Sequence, residues 1–404
     1  MEIASFRKIV EPTTVLNKSI TESTAWSKTR PKTFYHKHLT IEEAKNRAHV
    51  PSNSDGVGFG KVFTDHFVEA DWEMNSGWGK PKIRPLGLQS YHPGMMAFHY
   101  GLELFEGMKA YYGVDKKIRL FRPELNMQRM RRSAERSCFP DFDTEEAIKL
   151  IEELVRLDSH WVPKSEKASL YIRPVMIATD PSLGLHVPNQ VKWYMIAGPA
   201  GSYFETGNKG VSLLADPSYV RSWPGGVGAF KMGCNYAPTI YVGREAAAKN
   251  CQQVLWLSGE EKNITEAGAM NVFLFWKNEQ GEDELITAPV DSGLLLPGVT
   301  RQSILELAKE WKQFKVTEKE FTMDQFVRAL KEKRVYEFFG AGTAAVVGPI
   351  SEILYLDKTA GINEKLNVPT LQSKVKLMNK FYDAITGIQY GKIQKPEWTR
   401  VIEV

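Results

Sequence analysis

The stretch Arg221–Pro238, RSWPGGVGAFKMGCNYAP, is the part of the sequence from which the rest is best interpreted, and Lys231 lies within it. Four glycines surround this lysine, and glycine lets a backbone come close to a ligand. Phe230 and Tyr236 place aromatic rings beside it. A lysine in such a dehydrated setting has a reason to lose its proton, as Schiff-base chemistry requires. Taken alone, the stretch is still more typical of a glycine-rich surface loop.

A helix is predicted to follow this stretch. Asn235 can cap it, Pro238 suits its first turn, and the pattern runs through Ala246 to about Asn250. Lys231 is therefore expected in a glycine-rich segment that leads into a helix.

Two segments downstream change the interpretation of the lysine. In ITEAGAMNVFLF, Glu266 lies between two strand-like apolar runs, and a buried acid there is costly unless it meets a cation. In LPGVTRQS, from Leu296 to Ser303, a glycine turn opens an amphipathic helix whose free N–H groups suit a phosphate. A lysine for an imine, an acid for a ring nitrogen and a helix end for a phosphate together predict pyridoxal phosphate (PLP).

The order and spelling of these segments resemble those of the branched-chain amino acid aminotransferases, PLP enzymes of fold type IV. The matching segments of the second half are GAFKMGCNYAP, ITEAGAMN, LLLPGVTRQS and FFGAGTAAVVGP. Those of the first half are FGKVFTDH, HYGLELFEGMKAY, RLFRPELNMQRM and SLYIRPVMIATDPSLG. The resemblance runs in unbroken order from about Phe59 to the C-terminus, which makes it highly specific.

The composition is typical of a soluble globular protein. The chain of 404 residues is long enough for two or three domains, and no segment has the roughly 18 consecutive apolar residues of a membrane helix. The formal charge of +4 is small, with bases scattered among acids, which argues against a nucleic-acid partner. The three cysteines, Cys138, Cys234 and Cys251, form no C-x-x-C pair, so neither a disulfide framework nor a metal site is predicted.

The predicted fold class is α/β with α+β character. Strand and helix patterns alternate up to about Gly201, and the resemblance implies a small N-terminal α/β domain and a larger C-terminal domain that carries the cofactor. The expected parts are an N-terminal extension at 1–56, a small domain at 57–202, a linker at 203–210 and a large domain at 211–404.

The N-terminal segment gives two further expectations. Residues 1–38 are rich in Ser and Thr and could be a mitochondrial leader, but acidic residues and few arginines favour a cytoplasmic extension. Thr40–Glu43, TIEE, is predicted to form a capping box that starts a short helix through Ala48.

The resemblance implies a role for each cofactor residue. Lys231 is the Schiff-base lysine and the carrier of the substrate proton. Glu266 keeps the pyridine nitrogen protonated, and Tyr236 approaches the phenolic oxygen of the ring. The remaining expected residues bind the phosphate, and they are Arg129, Val299, Thr300 and Thr343.

The resemblance also implies an aromatic pocket for the substrate side chain. The residues expected there are Phe59, Tyr100, Phe105, Tyr171, Arg173 and Tyr203. Such a pocket buries methyl groups, whereas Arg173 and tyrosine hydroxyls could pair with the γ-carboxylate of glutamate. The backbone near Thr343–Ala344 is the expected anchor for the α-carboxylate.

Two features of the sequence depart from the mammalian members of the family. Those members carry a C-x-x-C redox pair where this chain has Ala345 and Gly348, so the thiol switch is expected to be absent. Ala269 stands where they have a threonine that helps to hold the substrate carboxylate.

The resemblance implies reversible transfer of the amino group of L-leucine, L-isoleucine or L-valine to 2-oxoglutarate by a ping-pong mechanism, in a homodimer without nucleic acid or membrane. An alternative is another fold type IV enzyme, a D-amino acid aminotransferase or an aminodeoxychorismate lyase. Those enzymes share the lysine and the glutamate but lack the HYGLELFEGMKAY and YIRP segments. A non-catalytic interaction protein on the same fold is a further alternative, against which intact Lys231 and Glu266 argue.

Overall fold

Two β-sheets organise the protein, which is represented by a computed structural model that describes residues 32–52, 54–201 and 210–404. The strands are β1 Thr40–Ile41, β2 His66–Glu73, β3 Gly77–Trp78, β4 Lys82–Pro85, β5 Glu103–Phe105, β6 Met108–Tyr112, β7 Ile118–Phe121, β8 Ser169–Ala178, β9 Gln190–Ala200, β10 Val211–Ala215, β11 Gln253–Ser258, β12 Asn263–Ala267, β13 Met270–Lys277, β14 Asp283–Thr287, β15 Lys315–Glu318, β16 Val335–Gly342, β17 Val346–Asp357, β18 Ile362–Asn367 and β19 Thr399–Ile402. The helices are α1 Met96–Tyr100, α2 Pro123–Arg136, α3 Thr144–Leu157, α4 Thr239–Ala247, α5 Val299–Trp311, α6 Met323–Lys331 and α7 Leu377–Gln389.

The first sheet has the order β1-β4-β2-β9-β8-β6-β7-β19, with β3 paired to β2 and β5 paired to β8. Its longest pair, β8 and β9, is antiparallel with Ser169 opposite Ala200. The apolar stripe of α3, which includes Ile148, Ile151 and Val155, is buried in the core of this sheet. Apolar residues at helical spacing therefore produce the contact that the sequence pattern predicts.

The second sheet has the order β12-β11-β10-β17-β16-β13-β14-β15, with β18 paired to β17. One core of this sheet includes Phe326 of α6, and another includes Ile304 of α5 and Phe381 of α7. Strands β10 and β17 are parallel, whereas β13 and β16 are antiparallel, so the sheet is mixed. The predicted α/β class with α+β character is confirmed.

The predicted capping box at Thr40–Glu43 is wrong. Thr40 and Ile41 form β1, which pairs in parallel with Lys82 and Ile83 of β4. The backbone amide of Glu42 donates to the Ile83 carbonyl at 2.9 Å. The edge of the first sheet thus offers this segment backbone partners that its local helix signal could not outweigh.

The predicted domain boundaries remain a prediction, and most of the linker at 203–210 lies outside the described residues. Two features cross those boundaries. Phe34, from the expected N-terminal extension, is only 1% exposed and packs in the core of the first sheet. Strand β19, near the C-terminus, pairs antiparallel with β7 of that sheet. Residues 1–31, on which the leader alternative mainly depends, are also outside the described part.

Over the described ranges, no helix combines the length and the apolar character that spanning a membrane requires.

Candidate active site

The backbone of Lys231 is hydrogen-bonded to strand β5 of the first sheet and to helix α2. Its carbonyl accepts from the amide of Phe105 at 3.0 Å, and its own amide donates to Ser133 Oγ of α2 at 2.9 Å. The next residue, Met232, forms a β-bridge with Leu104 of β5. The lysine therefore lies on a fixed segment rather than on a solvated loop.

The amine of Lys231 meets aromatic groups and a hydroxyl. Its Nζ is 2.9 Å from the hydroxyl oxygen of Tyr236 and 4.7 Å from the ring centroid of Phe105. Lys231 forms no salt bridge with any carboxylate in the described ranges. Lys231 is half-buried, so the predicted aromatic neighbours are present, whereas the amine is not fully removed from water.

The predicted cap at Asn235 is wrong, and the side chain has another task. Gly233–Asn235 form a short 3-10 turn, and α4 begins only at Thr239. The Asn235 amide donates to the carbonyls of Val227 and Phe230, both at 2.8 Å. Asn235 thus fixes the backbone of the segment that precedes Lys231.

Glu266 is buried at the end of β12, with 2% of its surface exposed. Its Oε1 accepts from the Leu296 amide at 3.0 Å and from Asn271 Nδ2 at 3.2 Å, and its Oε2 lies 3.1 Å from Arg221 Nε. Burial raises the pKa of Glu266, and the charges of Arg221 and Lys231 offset only part of that effect.

Arg221 and Asn271 are site residues that the sequence analysis did not assign. The need for a cation beside a buried Glu266 was predicted, but the partner was not identified. Arg221 is the first residue of the stretch that carries Lys231, but nothing in the local sequence indicates that it meets Glu266. Only the folded chain brings Arg221 against the end of β12.

The start of α5 supplies free backbone donors. Gly298 is the residue before the helix, and no side chain caps it. The first helical hydrogen bond runs from the Gln302 amide to the Gly298 carbonyl at 2.9 Å, so the helix itself does not use the N–H groups of Val299 and Thr300. Both residues are buried, and Thr343 shares with them a cavity of about 20 Å³.

Arg129 lies beside this helix start and is bound by Glu106. Its Nε and Nη2 donate to the two carboxylate oxygens of Glu106 at 2.7 and 2.8 Å, and its Nη1 donates to the Pro297 carbonyl at 2.9 Å. Burial alone would raise the pKa of Glu106, but the charge and hydrogen bonds of Arg129 outweigh it and hold that pKa below its ordinary value. A guanidinium has five N–H donors, so Arg129 keeps donors for an anion.

The predicted aromatic pocket is largely assembled. The ring of Phe59 meets that of Tyr171 at 4.6 Å, and the Tyr171 hydroxyl accepts from Arg173 Nη2 at 2.9 Å. The Arg173 guanidinium lies 4.5 Å from the ring centroid of Phe105, which itself contacts Tyr236. Phe59, Tyr171 and Arg173 line a cavity of about 190 Å³.

Three predicted substrate residues need separate description. Tyr100 is 40% exposed, and its hydroxyl donates to the Leu183 carbonyl, so it lies in a surface cluster of the chain. Tyr203 lies outside the described residues. Ala344 is in the turn between β16 and β17, where its carbonyl accepts from Lys109 Nζ at 2.9 Å.

The residues of the site fit the predicted cofactor. A phosphorylated pyridine aldehyde requires three kinds of group, and the described residues supply each: a buried carboxylate, an amine that none of their acids pairs with, and an uncapped helix start beside a buried guanidinium. In the described part of the chain, no group of three or more His, Cys, Asp or Glu side chains could hold a metal ion.

Comparisons with known proteins point in the same direction. A family model described as amino-transferase class IV matches residues 103–353. A branched-chain-amino-acid aminotransferase, cytosolic, of Caenorhabditis elegans is 54% identical over 375 residues, which are 92% of this chain and 90% of that protein. The corresponding mitochondrial protein of Bos taurus is 47% identical over 361 residues, covering 89% of this chain and 90% of the relative.

A solved structure also matches at the level of the fold. The branched-chain amino acid aminotransferase of Thermobaculum terrenum, in its PLP form, aligns with a TM-score of 0.63 at 20% identity. The alignment covers 83% of this chain and 98% of that chain. The fold type predicted from the sequence is thereby confirmed.

Proposed function

Because this chain belongs to the class IV aminotransferase family, we propose that it is a PLP-dependent branched-chain amino acid aminotransferase. It transfers the amino group of L-leucine, L-isoleucine or L-valine to 2-oxoglutarate, reversibly and in two half-reactions. Identity of about half of all positions with proteins named for this activity, over nine tenths of the chain, supports the substrate class.

The observation that carries the proposal is the setting of Lys231. Its amine is held by the Tyr236 hydroxyl at 2.9 Å and by aromatic faces, without a carboxylate partner among the described residues. An amine that is not paired with a carboxylate can act as a nucleophile and a base. An ordinary surface lysine has neither task.

Each residue of the site then has a defined task. When bound, PLP supplies the carbonyl that accepts the amino group and a ring that withdraws electrons. Lys231 takes and returns the proton at the substrate Cα, and the Tyr236 hydroxyl orients its amine. Glu266, fixed by Arg221 and Asn271, would hold the proton of the ring nitrogen. The phosphate would rest on α5, Arg129 and Thr343.

The substrate side favours a branched apolar chain. Phe59, Tyr171 and Phe105 can bury methyl groups, and Arg173 can pair with the γ-carboxylate of glutamate in the second half-reaction. Each additional methylene gains only about 1–3 kcal/mol, so we expect weak discrimination between leucine and valine. Neither rival fold type IV activity, on D-amino acids or on aminodeoxychorismate, is favoured by the relatives from Caenorhabditis elegans and Bos taurus.

We infer that the active form is a homodimer. Two segments joined by the Tyr100–Leu183 hydrogen bond expose apolar side chains, which we call the apolar surface cluster: Phe98 in the helix of Tyr100, and Leu183, Leu185 and Val187 in the loop before β9. A partner chain that covers this cluster could bring Tyr100 to the substrate pocket of the other chain, which would explain why a single chain leaves it at the surface. We propose a cytoplasmic location, since the worm relative with the higher identity bears the cytosolic name.

Visible spectroscopy of the purified protein with PLP tests the proposed function. The wild type is expected to show an absorption band that L-leucine changes and D-alanine does not. Lys231→Ala should lose both the band and the response, whereas Lys249→Ala, on the surface after α4, should keep them. A band and a leucine response that survive Lys231→Ala would overturn the assignment, and a response to D-alanine instead of L-leucine would favour the rival family members.

A further inference from the structure

Lys109 is a buried cation that the chemistry described so far does not use. It lies in β6 with 8% of its surface exposed, and no carboxylate of the described residues forms a salt bridge with it. Its Nζ donates to the Ala344 carbonyl at 2.9 Å. A charge taken out of water without a counter-ion is costly, so a buried lysine of this kind calls for an explanation.

The place of Lys109 in the sheet links it to the substrate pocket. Lys109 is directly opposite Tyr171 in the antiparallel pair β6–β8, and side chains opposite each other lie on the same face of a sheet. Tyr171 is the residue that contacts Phe59 and Arg173 in the proposed pocket. Lys109 therefore approaches from the face that carries the substrate residues and reaches the turn between β16 and β17.

That turn is held in an unusual conformation. Val346, two residues after Ala344, has φ of 61°, which is a strained value for a β-branched residue. Strain of this kind persists where surrounding contacts over-determine the backbone, and it is frequent at ligand sites. The hydrogen bond from Lys109 is one such contact, and it acts on the peptide group that joins Ala344 to Ala345.

We propose that Lys109 is a positioning residue for the substrate α-carboxylate: its ammonium fixes the Ala344 carbonyl and sets a positive charge behind the Thr343–Ala344 turn. A hydrogen bond to the Ala344 carbonyl also polarises the N–H of Ala345, which belongs to the same peptide group. This polarisation makes the Ala345 N–H a stronger donor. The substrate carboxylate is thus the missing counter-charge of Lys109. This inference rests on the proposed function and on the expected anchor at that turn.

The surroundings allow the charge of Lys109 to be titrated. A cavity of about 560 Å³ lies between Lys109, the turn and α7. The charged residues that line it are Glu166, Lys167, Lys376 and Asp383. Its tyrosines are Tyr111, Tyr382 and Tyr390, and burial raises the pKa of Tyr111 and Tyr390 further above neutrality. Burial lowers the pKa of Lys109 to about 8, and no neighbouring charge contributes to that shift.

The test compares two ligands of nearly the same size and shape, of which only one carries a charge. Calorimetry on the PLP-loaded protein at pH 7 would measure the Kd of 4-methylpentanoate and of 4-methylpentanamide. Lys109→Met should weaken the carboxylate by about tenfold or more and the amide less than twofold, because only the carboxylate uses the charge. Lys109→Arg should keep most of the preference. Lys117→Met, on the exposed turn before β7, is the matched control and should change neither Kd.

The pH dependence of the same ratio gives a second measurement. In the wild type the preference for the carboxylate should decline as pH rises above about 8, where Lys109 loses its proton. In Lys109→Arg the preference should stay constant over that range, because a guanidinium remains charged. A wild-type ratio that does not change between pH 7 and 9.5 would contradict the inference.

Stability separates the electrostatic role from a structural one. The pKa of Lys109 is lower in the folded than in the unfolded chain, so its charge destabilises the fold below about pH 8, and the penalty disappears as pH rises through the ordinary value of 10.5. Lys109→Met should therefore melt no lower than the wild type at pH 7.

Two failures remain distinguishable. A wild type that does not transaminate L-leucine overturns the proposed function, and the role of Lys109 with it. A wild type that transaminates leucine, while Lys109→Met weakens both ligands equally or neither, overturns the role of Lys109 alone.

Discussion

A buried carboxylate can hold the proton of a ring nitrogen only if it remains ionised, and Glu266 depends on Arg221 for this. Burial raises the pKa of Glu266, whereas the Arg221 guanidinium at 3.1 Å and the Leu296 amide lower it. The ion pair also supplies a counter-charge to the guanidinium of Arg221, which is itself buried. Function and stability therefore depend on the same contact at this position.

We expect Glu266→Gln to damage both properties. Loss of the charge should lower kcat for L-leucine by roughly 10²-fold, the usual effect of removing one preorganised electrostatic contact in an active site. The uncompensated Arg221 should reduce the free energy of unfolding by about 3 kcal/mol. Steady-state kinetics and urea unfolding would measure the two effects. Glu261→Gln, at an exposed position just before β12, is the control, and full activity of Glu266→Gln would refute the assigned role.

At the scale of elements, the site depends on how α5 begins. A β-carbon added to Gly298 would lie 2.2 Å from Asn271 Oδ1, and Asn271 donates to both Glu266 and the Leu296 carbonyl. One hydrogen-bonded side chain thus connects the acid of β12 to the phosphate end of the proposed cofactor site. A small displacement of the helix start is expected to disturb both.

Gly298→Ala should therefore weaken PLP binding by at least about tenfold, or about 1.4 kcal/mol, because Asn271 must move away. Equilibrium titration of the apoprotein with PLP would give the Kd. Gly243→Ala is a matched control, since Gly243 lies in α4 with open space around it, and alanine there should stabilise the helix by up to about 1 kcal/mol. Equal PLP affinity of Gly298→Ala and wild type would show that this close contact is unimportant.

Periodicity and spacing predicted the elements that carry strong local signals. The sequence predicts a basic helix over Arg122–Ser137 and a helix with regularly spaced apolar residues over Thr144–Ser159. The structure has them as α2 and α3, each within two residues of those ends. The glycine turn before Val299 likewise opens α5. These segments combine regular apolar spacing with turn residues at their ends, so local sequence and tertiary packing favour the same structure.

Other features depended on contacts far apart in sequence. Thr40–Glu43 has the letters of a capping box, yet a free sheet edge at β4 draws it into a strand. Asn235 has the character of a cap but bonds to carbonyls of the preceding loop. The cation beside Glu266 is Arg221, 45 positions earlier in the chain, and only the fold brings the two together.

At the scale of the whole molecule, both ends of the described chain complete the first sheet's core. Phe34 packs against Trp78 and Trp193 at centroid distances of 5.0 and 4.9 Å. At the other end, β19 pairs with β7, and Arg400 forms salt bridges with acids of α3. The first sheet, which carries Tyr171 and Arg173, therefore depends on residues well outside 57–202.

The proposed homodimer makes a prediction about the apolar surface cluster. Leu185 is 71% exposed in the single chain, next to Leu183, whose carbonyl accepts from Tyr100. A carboxylate at position 185 would have to be desolvated in the interface, so Leu185→Asp should shift the protein towards monomers in sedimentation velocity. Its activity on L-leucine should fall with dimer content, because Tyr100 would no longer reach the pocket of the partner chain.

The control must also place a charge on an exposed apolar residue. Val114→Asp, on the turn between β6 and β7, changes a side chain that is 55% exposed, and we expect it to remain dimeric and active. Monomeric Leu185→Asp should regain activity at high protein concentration, since mass action restores the dimer. A wild type that sediments as a monomer and is fully active would refute the dimer. The substrate pocket would then have to be complete within one chain, without Tyr100.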